Sequence, residues 1–277
     1  MSPSPDVLVI EPGARDRHYW RDLWRYRELF YVLAWRDVAV RYKQTFFGIA
    51  WAVVRPFATM VVLTLVFSRV ASLPSAGDAP YALMVFAALL PWQFFSTALT
   101  ESSASLTVNA HLISKVYFPR LVMPTAALVV ALVDFAVSLV TLAGLMAWYR
   151  FVPGWQLLTL PLFVIMAFLA SLGPGLLITA LNVKYRDFQV IVPFIVQFGL
   201  FVSPVGFHSS VVPERWRLLY ALNPLVGVID GFRWAILGGE AELDVRGLAI
   251  SSVVIVILLW TGFRYFRRTE KTFADLV

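Results

Sequence analysis

The residues able to do chemistry are few in this chain of 277 residues, and their spacing excludes most catalysis. The three histidines, His18, His111 and His208, lie far apart and belong to no H-E-x-x-H pair or other ligand pattern, so no metal site is expected. Cysteine is absent, which rules out thiolate nucleophiles, disulfides and sulfur-ligated metals. Serines are common, yet no G-x-S-x-G elbow occurs and no histidine sits within a helix core to act as base. No Gly-Lys pair occurs anywhere, so the chain cannot build the phosphate-cradling loop of a nucleotide hydrolase.

What remains are ionisable groups and rings placed among apolar residues. Asp134 is the only acid deep in an expected membrane span, and Arg55 lies about nine residues, on the order of 13 Å, into another. Arg55 has two readings: snorkelling back to the interface, or bidentate contact with a phosphate-bearing ligand. Asp134 reads as a structural group, protonated or paired with Arg55 or with a hydroxyl on another helix, ahead of a proton carrier. Aromatic residues reach 15%, ten tryptophans among them. Ring planes can stack on the C–H faces of sugars, which makes Trp51, Trp92, Phe94, Phe95, Phe198 and Phe201 candidates to contact a sugar-bearing substrate. The competing reading puts such rings in an interfacial belt.

These groups must be held by membrane helices. Hydrophobic residues make up 60% of the chain and charged ones 14%, where a soluble domain carries about 25% charged. A hydrocarbon core of about 30 Å needs roughly 20 apolar residues per helix, and the ten-residue alternation of a closed barrel is missing. The class is an all-α integral membrane protein. Six transmembrane helices are expected at Phe46 to Val70, Tyr81 to Thr100, Leu121 to Tyr149, Leu157 to Leu181, Phe188 to Phe207 and Gly247 to Phe266. No apolar stretch followed by a small-residue cleavage site opens the chain, so no cleaved signal peptide is expected.

The net charge of +6 reads as orientation rather than nucleic-acid affinity, because the basic residues flank the apolar runs. Arg36, Arg41, Lys43, Lys115, Arg120, Lys184, Arg186, Arg264, Arg267, Arg268 and Lys271 fall on one side if the six spans are correct, and the short loops opposite hold Arg69 and Arg150. The positive-inside rule then puts both termini in the cytoplasm. Parity settles a further apolar stretch, Tyr220 to Gly239, which contains Asn223, Pro224, Asp230 and Arg233. A crossing there would send "RYFRRTEK" outward, and each charge would cost about 2.5–3.5 kcal/mol at mid-bilayer. A re-entrant helical hairpin in the outer leaflet, between the fifth and sixth spans and broken at Asn223 and Pro224, is expected instead. Near the N-terminus, Tyr19, Leu23, Tyr26, Phe30 and Leu33 recur at helical spacing, the pattern of an amphipathic helix at the interface or of a helix packed on protein. Residues 1–45 are therefore read as a cytoplasmic segment and 46–277 as one membrane domain.

Polar content concentrates at three helix ends: "WRDVAVRYKQTFFGIAW" from Trp35, "NAHLISKVYFPRLVMP" from Asn109 and "NVKYRDF" from Asn182. Together with "LNPLVGVIDGFRWAILG" and the tail "RRTEKTFAD", they resemble, in order and over nearly the whole chain, the ABC-2 type permeases that export polysaccharides such as O-antigen, capsule and teichoic acid. The resemblance implies a homodimer in the bacterial inner membrane, docked on two copies of a separate P-loop ATPase that holds ATP and Mg, with an undecaprenyl-linked glycan as substrate. It also implies coupling segments at about Ser103 to Arg120 and Asn182 to Asp187, giving Asn109, His111, Leu112, Lys115, Phe118, Arg120, Lys184, Tyr185, Arg186 and Asp187 as ATPase-coupling residues. The basic members of that set have an independent reading as topology anchors on lipid phosphate. No catalytic residue is expected. The alternatives are an ABC-2 exporter of a lipophilic drug or lipid, and a non-transport membrane scaffold.

Overall fold

A computed structural model describes residues 19–43, 50–73, 75, 79–116, 118–238 and 243–273. His18 and the expected first residues of the first span, Phe46 to Ile49, lie outside the described residues. The chain begins with α1 (Tyr19–Arg25) and α2 (Arg27–Lys43), joined almost without a break because Phe30 N–H still donates to Tyr26 C=O at 3.0 Å. Then come α3 (Ala50–Thr64), whose end widens into π-helical turns over Leu65–Val70, and α4 (Tyr81–Val108). A short α5 (Ala110–Lys115) precedes α6 (Val122–Tyr149), and a 3-10 turn at Trp155–Thr159 leads into α7 (Leu160–Lys184). The remainder is α8 (Phe188–Val202), α9 (Glu214–Tyr220), α10 (Pro224–Ile236) and α11 (Val245–Thr269).

Among the described residues, five helices are long and apolar enough to cross a membrane: Ala50–Val70, Tyr81–Val108, Val122–Tyr149, Trp155–Lys184 and Val245–Thr269. The expected fifth span is shorter than predicted. Its helix stops at Val202, where Ser203 turns extended ahead of Pro204, and a proline disfavours helix in the residue before it. The second span is longer than predicted, because its polar end stays helical. Ser96, Thr100, Ser103, Ser105 and Thr107 each donate their hydroxyl to a carbonyl three or four residues back, at 2.7–3.1 Å. A hydroxyl satisfied on its own helix adds no desolvation penalty that would end it. Ser103 to Val108, expected in a coupling loop, is therefore the last part of α4.

Helix α4 is the centre of the fold, packed by α3, α6, α7, α8 and α10. In its most apolar stretch 83% of residues are buried, against 17% for α3. Its two ends define the molecule: a Tyr81 end with α9 and α10, and an Asn109 end with α5 and the turn between α7 and α8. At the Asn109 end the stripe Tyr19, Leu23, Tyr26, Phe30 and Leu33 packs into a second small core with Leu106, Ile113, Phe118 and Phe266. The stripe thus covers the chain's own bundle. The face of α1 and α2 left exposed carries Trp24, Tyr31 and Trp35.

Candidate functional site

The end of α2 and helices α3, α4 and α6 enclose a polar cavity of about 780 Å³. Its charges come from four elements: Arg41, Arg55, Glu101 and Asp134. Arg41 holds the cavity wall together, with one Nη 2.7 Å from Asp134 Oδ2 and the other donating to Glu101 Oε1 at 2.8 Å. The Tyr42 hydroxyl donates to the other oxygen of Asp134. Burial, and then the neighbouring carboxylate, raise the Tyr42 phenol above its ordinary pKa, so it stays a donor. Asp134 thus has an arginine and a hydroxyl as partners, as expected in kind, but the arginine is Arg41. Arg55 stays exposed over the Trp51 ring, 5.7 Å from its centroid, and lines the cavity without a carboxylate partner among the described residues.

The pair is partly exposed, with the Arg41 and Asp134 side chains 30% and 20% exposed, and its contribution is modest. Asp134→Asn keeps an acceptor for Tyr42 and loses the pairing with Arg41, a cost of about 1 kcal/mol. We expect the purified variant to melt no more than a few degrees below wild type and to keep transport activity; loss of activity with intact assembly would assign Asp134 a role beyond structure.

Along the same α3–α6 seam the polar cavity gives way to an apolar groove of about 1000 Å³, lined by Phe57, Val61, Leu65, Val140, Gly144 and Trp148. The predicted path residues separate into two groups. Trp51, Phe198 and Phe201 are exposed, whereas Trp92, Phe94 and Phe95 are buried in the core of one chain. Phe94 packs edge-on to Phe135 with centroids 5.8 Å apart, and Trp92 lies 5.9 Å from Phe95. On α8, Phe194, Phe198 and Phe201 share one exposed stripe, the first two with centroids 4.2 Å apart. Phe194 was not among the expected rings, though its spacing of four from Phe198 was a readable sign.

The predicted coupling residues gather at the Asn109 end but play different parts. Lys184, Tyr185, Arg186 and Asp187 form an exposed turn between α7 and α8. His111 and Lys115 are exposed on α5, while Phe118 is buried and Leu112 half-buried beneath them. Asn109 accepts from Arg36 Nη2 at 3.0 Å and donates to Ser105 C=O at 2.8 Å, which closes α4 and ties it to α2. Arg120 faces inward. Its backbone N–H donates to Glu270 Oε1 and its guanidinium to Glu270 C=O, both at 2.9 Å. Glu270 also pairs with Arg267 at 3.2 Å, and the Arg267 guanidinium lies 3.4 Å from the Tyr19 ring centroid. Burial, then Glu270, push the Tyr19 phenol above its usual pKa. The segment after α5 is therefore fastened to both ends of the described chain through Glu270, which no motif singles out beyond its place in the tail.

At the Tyr81 end, Asn223 caps α10 by accepting from Leu225 N–H at 3.1 Å, with Pro224 as its first residue. This cap separates α9 from α10 where the break was expected. Arg233 is fully buried, and its guanidinium donates to the carbonyls of Met84, Val205 and Phe207 at 3.3, 2.8 and 2.7 Å. It thus ties the irregular chain after α8 to α4.

Residues 28–237 match the family described as ABC-2 type transporter. An O-antigen export system permease protein RfbA of Myxococcus xanthus is 30% identical over 259 residues, 93% of this chain and 98% of that protein. A protein of the same name from Klebsiella pneumoniae is 25% identical over 90% of this chain and 95% of its own length. The polysialic acid transport protein KpsM of Escherichia coli is 23% identical over 85% of this chain and 91% of its own length. With several bilayer-length apolar helices and a family match over most of its length, this multi-pass membrane protein belongs to the ABC-2 type transporter family.

Proposed function

We propose that the chain is the permease subunit of an ATP-driven exporter that moves a lipid-linked, O-antigen-like polysaccharide across the bacterial inner membrane. The observation that carries this reading is the α3–α6 seam, where a polar cavity with Arg55 and Trp51 adjoins an apolar groove. A substrate with a phosphorylated, glycosylated head and a hydrocarbon tail has a complementary wall for each part: guanidinium for phosphate, aromatic ring for sugar, and Phe57 to Trp148 for the tail. The names of the similar proteins, O-antigen export permease and polysialic acid transport protein, support the glycan.

In this reading the chain crosses six times with both termini in the cytoplasm. Helix α8 has 15 residues, about 22 Å at 1.5 Å per residue, and the Ser203 to Phe207 segment completes its crossing. Irregular backbone is tolerated at that depth only when shielded and hydrogen-bonded by protein. Arg233 serves Val205 and Phe207, and the Tyr81 hydroxyl donates to Gly206 C=O at 2.6 Å. Helices α9 and α10 then form the re-entrant outer hairpin. Helices α1 and α2 lie along the inner interface, their exposed Trp24, Tyr31 and Trp35 in the headgroup region, and residues 46–277 make up the membrane domain. Two copies associate through the little-buried α3 and α8, and Phe198, Phe201 and Trp51 border the glycan path. Helix α5 and the turn from Lys184 to Asp187 seat on a separate ATPase, which holds ATP and Mg; this chain hydrolyses nothing.

Charge reversal of Lys184 and Arg186 to Glu tests the docking. Co-purification of the partner ATPase is expected to fall at least tenfold and surface glycan with it, while Arg55→Ala keeps the ATPase bound and lowers only its stimulation by lipid-linked glycan. Unchanged surface glycan on deletion of the chain would overturn the reading. Stimulation by a lipophilic drug or a simple lipid in place of glycan would favour the apolar groove acting alone.

A further inference from the structure

Away from the α3–α6 seam, the Tyr81 end holds a second, smaller polar chamber of about 210 Å³ between the segment after α8, helices α9 and α10, and the start of α11. Its walls are braced. Arg217 donates to Val212 C=O at 3.1 Å and to Ser210 C=O at 3.2 Å, and Asp244 caps α11 by accepting from Arg246 N–H at 3.0 Å. Three of the residues lining the chamber each carry a buried side-chain atom without a hydrogen-bond partner: Asp230 Oδ1, His208 Nε2 and Tyr220 OH. They come from three different segments. Asp230 is 95% buried by a relative exposure of 5%, and its Oδ1 is 4.0 Å from the Arg233 guanidinium, beyond hydrogen-bond reach. A buried polar atom left unsatisfied costs about 1–3 kcal/mol, and three such residues around one cavity favour a ligand that a small side-chain rotation would let them satisfy.

Their chemistry is specific. His208 Nδ1 accepts from Ser210 N–H at 3.2 Å, so in the neutral ring the proton sits on Nε2, which is a donor. Burial, with Arg233 and Arg217 nearby, lowers the His208 pKa to about 4, which keeps the ring neutral at pH 7. Asp230 Oδ1 is an acceptor, and the Tyr220 hydroxyl can do either. Asp230 and Asp244 in the lining disfavour an anion, and no three His, Asp or Glu among the described residues are grouped to hold a metal ion. Adjacent hydroxyl groups, each both donor and acceptor, fit the set. The volume equals that of about seven waters at ~30 Å³ each, room for one sugar ring.

We propose that this chamber is a binding site for a single hydroxylated ring, a sugar unit recognised by His208, Tyr220 and Asp230 at the end of the permease opposite the ATPase-docking turns. The proposal deepens the polysaccharide reading and rests on it for the source of the sugar. A unit held there, after it has passed the membrane, would oppose backward slippage of the polymer.

The test uses the full-length chain in lipid nanodiscs, with saturation-transfer NMR of glucose, galactose, mannose, rhamnose and N-acetylglucosamine, and inorganic phosphate as the anion control. At least one monosaccharide is expected to bind saturably and phosphate not at all. Tyr220→Phe and His208→Phe, which keep ring shape and delete one hydrogen-bonding atom each, are expected to weaken binding about fivefold. An oligosaccharide released from the surface glycan that binds more tightly than any monosaccharide identifies the exported polymer as the source; monosaccharide binding alone identifies free sugar and removes the anti-slippage role. Absence of sugar binding to the wild type, with Tyr220→Phe raising the melting temperature, would make the chamber a hydrated void and overturn the proposal. Sugar binding beside unchanged surface glycan on deletion would instead count against the export reading alone.

Discussion

Arg233→Ala is expected to yield no monodisperse permease from membranes. The guanidinium is fully buried and supplies hydrogen bonds to the carbonyls of Met84, Val205 and Phe207. Truncation leaves the Val205 and Phe207 carbonyls without their donor and opens a void the size of the side chain between α10, α4 and the segment after α8. Breaking a buried charged network in this way costs about 3–5 kcal/mol, a large share of the 5–15 kcal/mol that holds a typical fold. Size-exclusion chromatography of the detergent-solubilised variant measures the outcome. Arg233→Lys should recover part of the peak, since an ammonium keeps the charge but lacks the fork that reaches three carbonyls. A sharp Arg233→Ala peak with wild-type melting would show that the clamp is dispensable.

The second large effect is expected at the crossing of α7 and α11. A Cβ built on Gly173 falls 2.7 Å from the backbone carbon of Leu258 and 2.7 Å from the nitrogen of Leu259, and one on Gly262 collides with the carbonyl of Gly173. Backbone atoms cannot rotate aside as a side chain can, so the helices must part. Overpacking costs typically about 1–3 kcal/mol, and Gly173→Val belongs at or above the top of that range, because the gap opens along the whole contact. Its melting temperature should fall by ten degrees or so, at about 2–4 °C per kcal/mol. Gly144→Ala is the control: no atom lies within 4 Å of its added Cβ, and a helical Gly→Ala exchange there should stabilise by up to about 1 kcal/mol.

The membrane class, the existence of the long helices and the break at Asn223 were legible because each rests on local chemistry: apolar length, and a cap followed by proline. The end of α4 was misjudged for an equally physical reason. Serine and threonine look like loop residues in a list of side chains, yet Ser103, Ser105 and Thr107 pair with their own helix and keep it going. The Asp134 partnership was anticipated in type, but choosing Arg41 over Arg55 required knowing that α2 packs against α6. Burial was the hardest property to foresee. Trp92 and Phe201 look alike in sequence, and only the central place of α4 puts one in the core and leaves the other on the surface. The knot of Tyr19, Arg267, Glu270 and Arg120 joins residues up to 251 positions apart by number, which no periodicity reports.

The unequal enclosure of the helices has a mechanical corollary. Helix α4 is held on nearly every side, whereas α3 and α8 present much of their surface outward. Tilting α4 would disrupt packing throughout the subunit, but α3 or α8 can swing while giving up little of the interior. The molecule is therefore built as a stiff mast with two hinged staves. In the proposed reading, a stroke from an ATPase docked at the Asn109 end would meet least resistance through those staves.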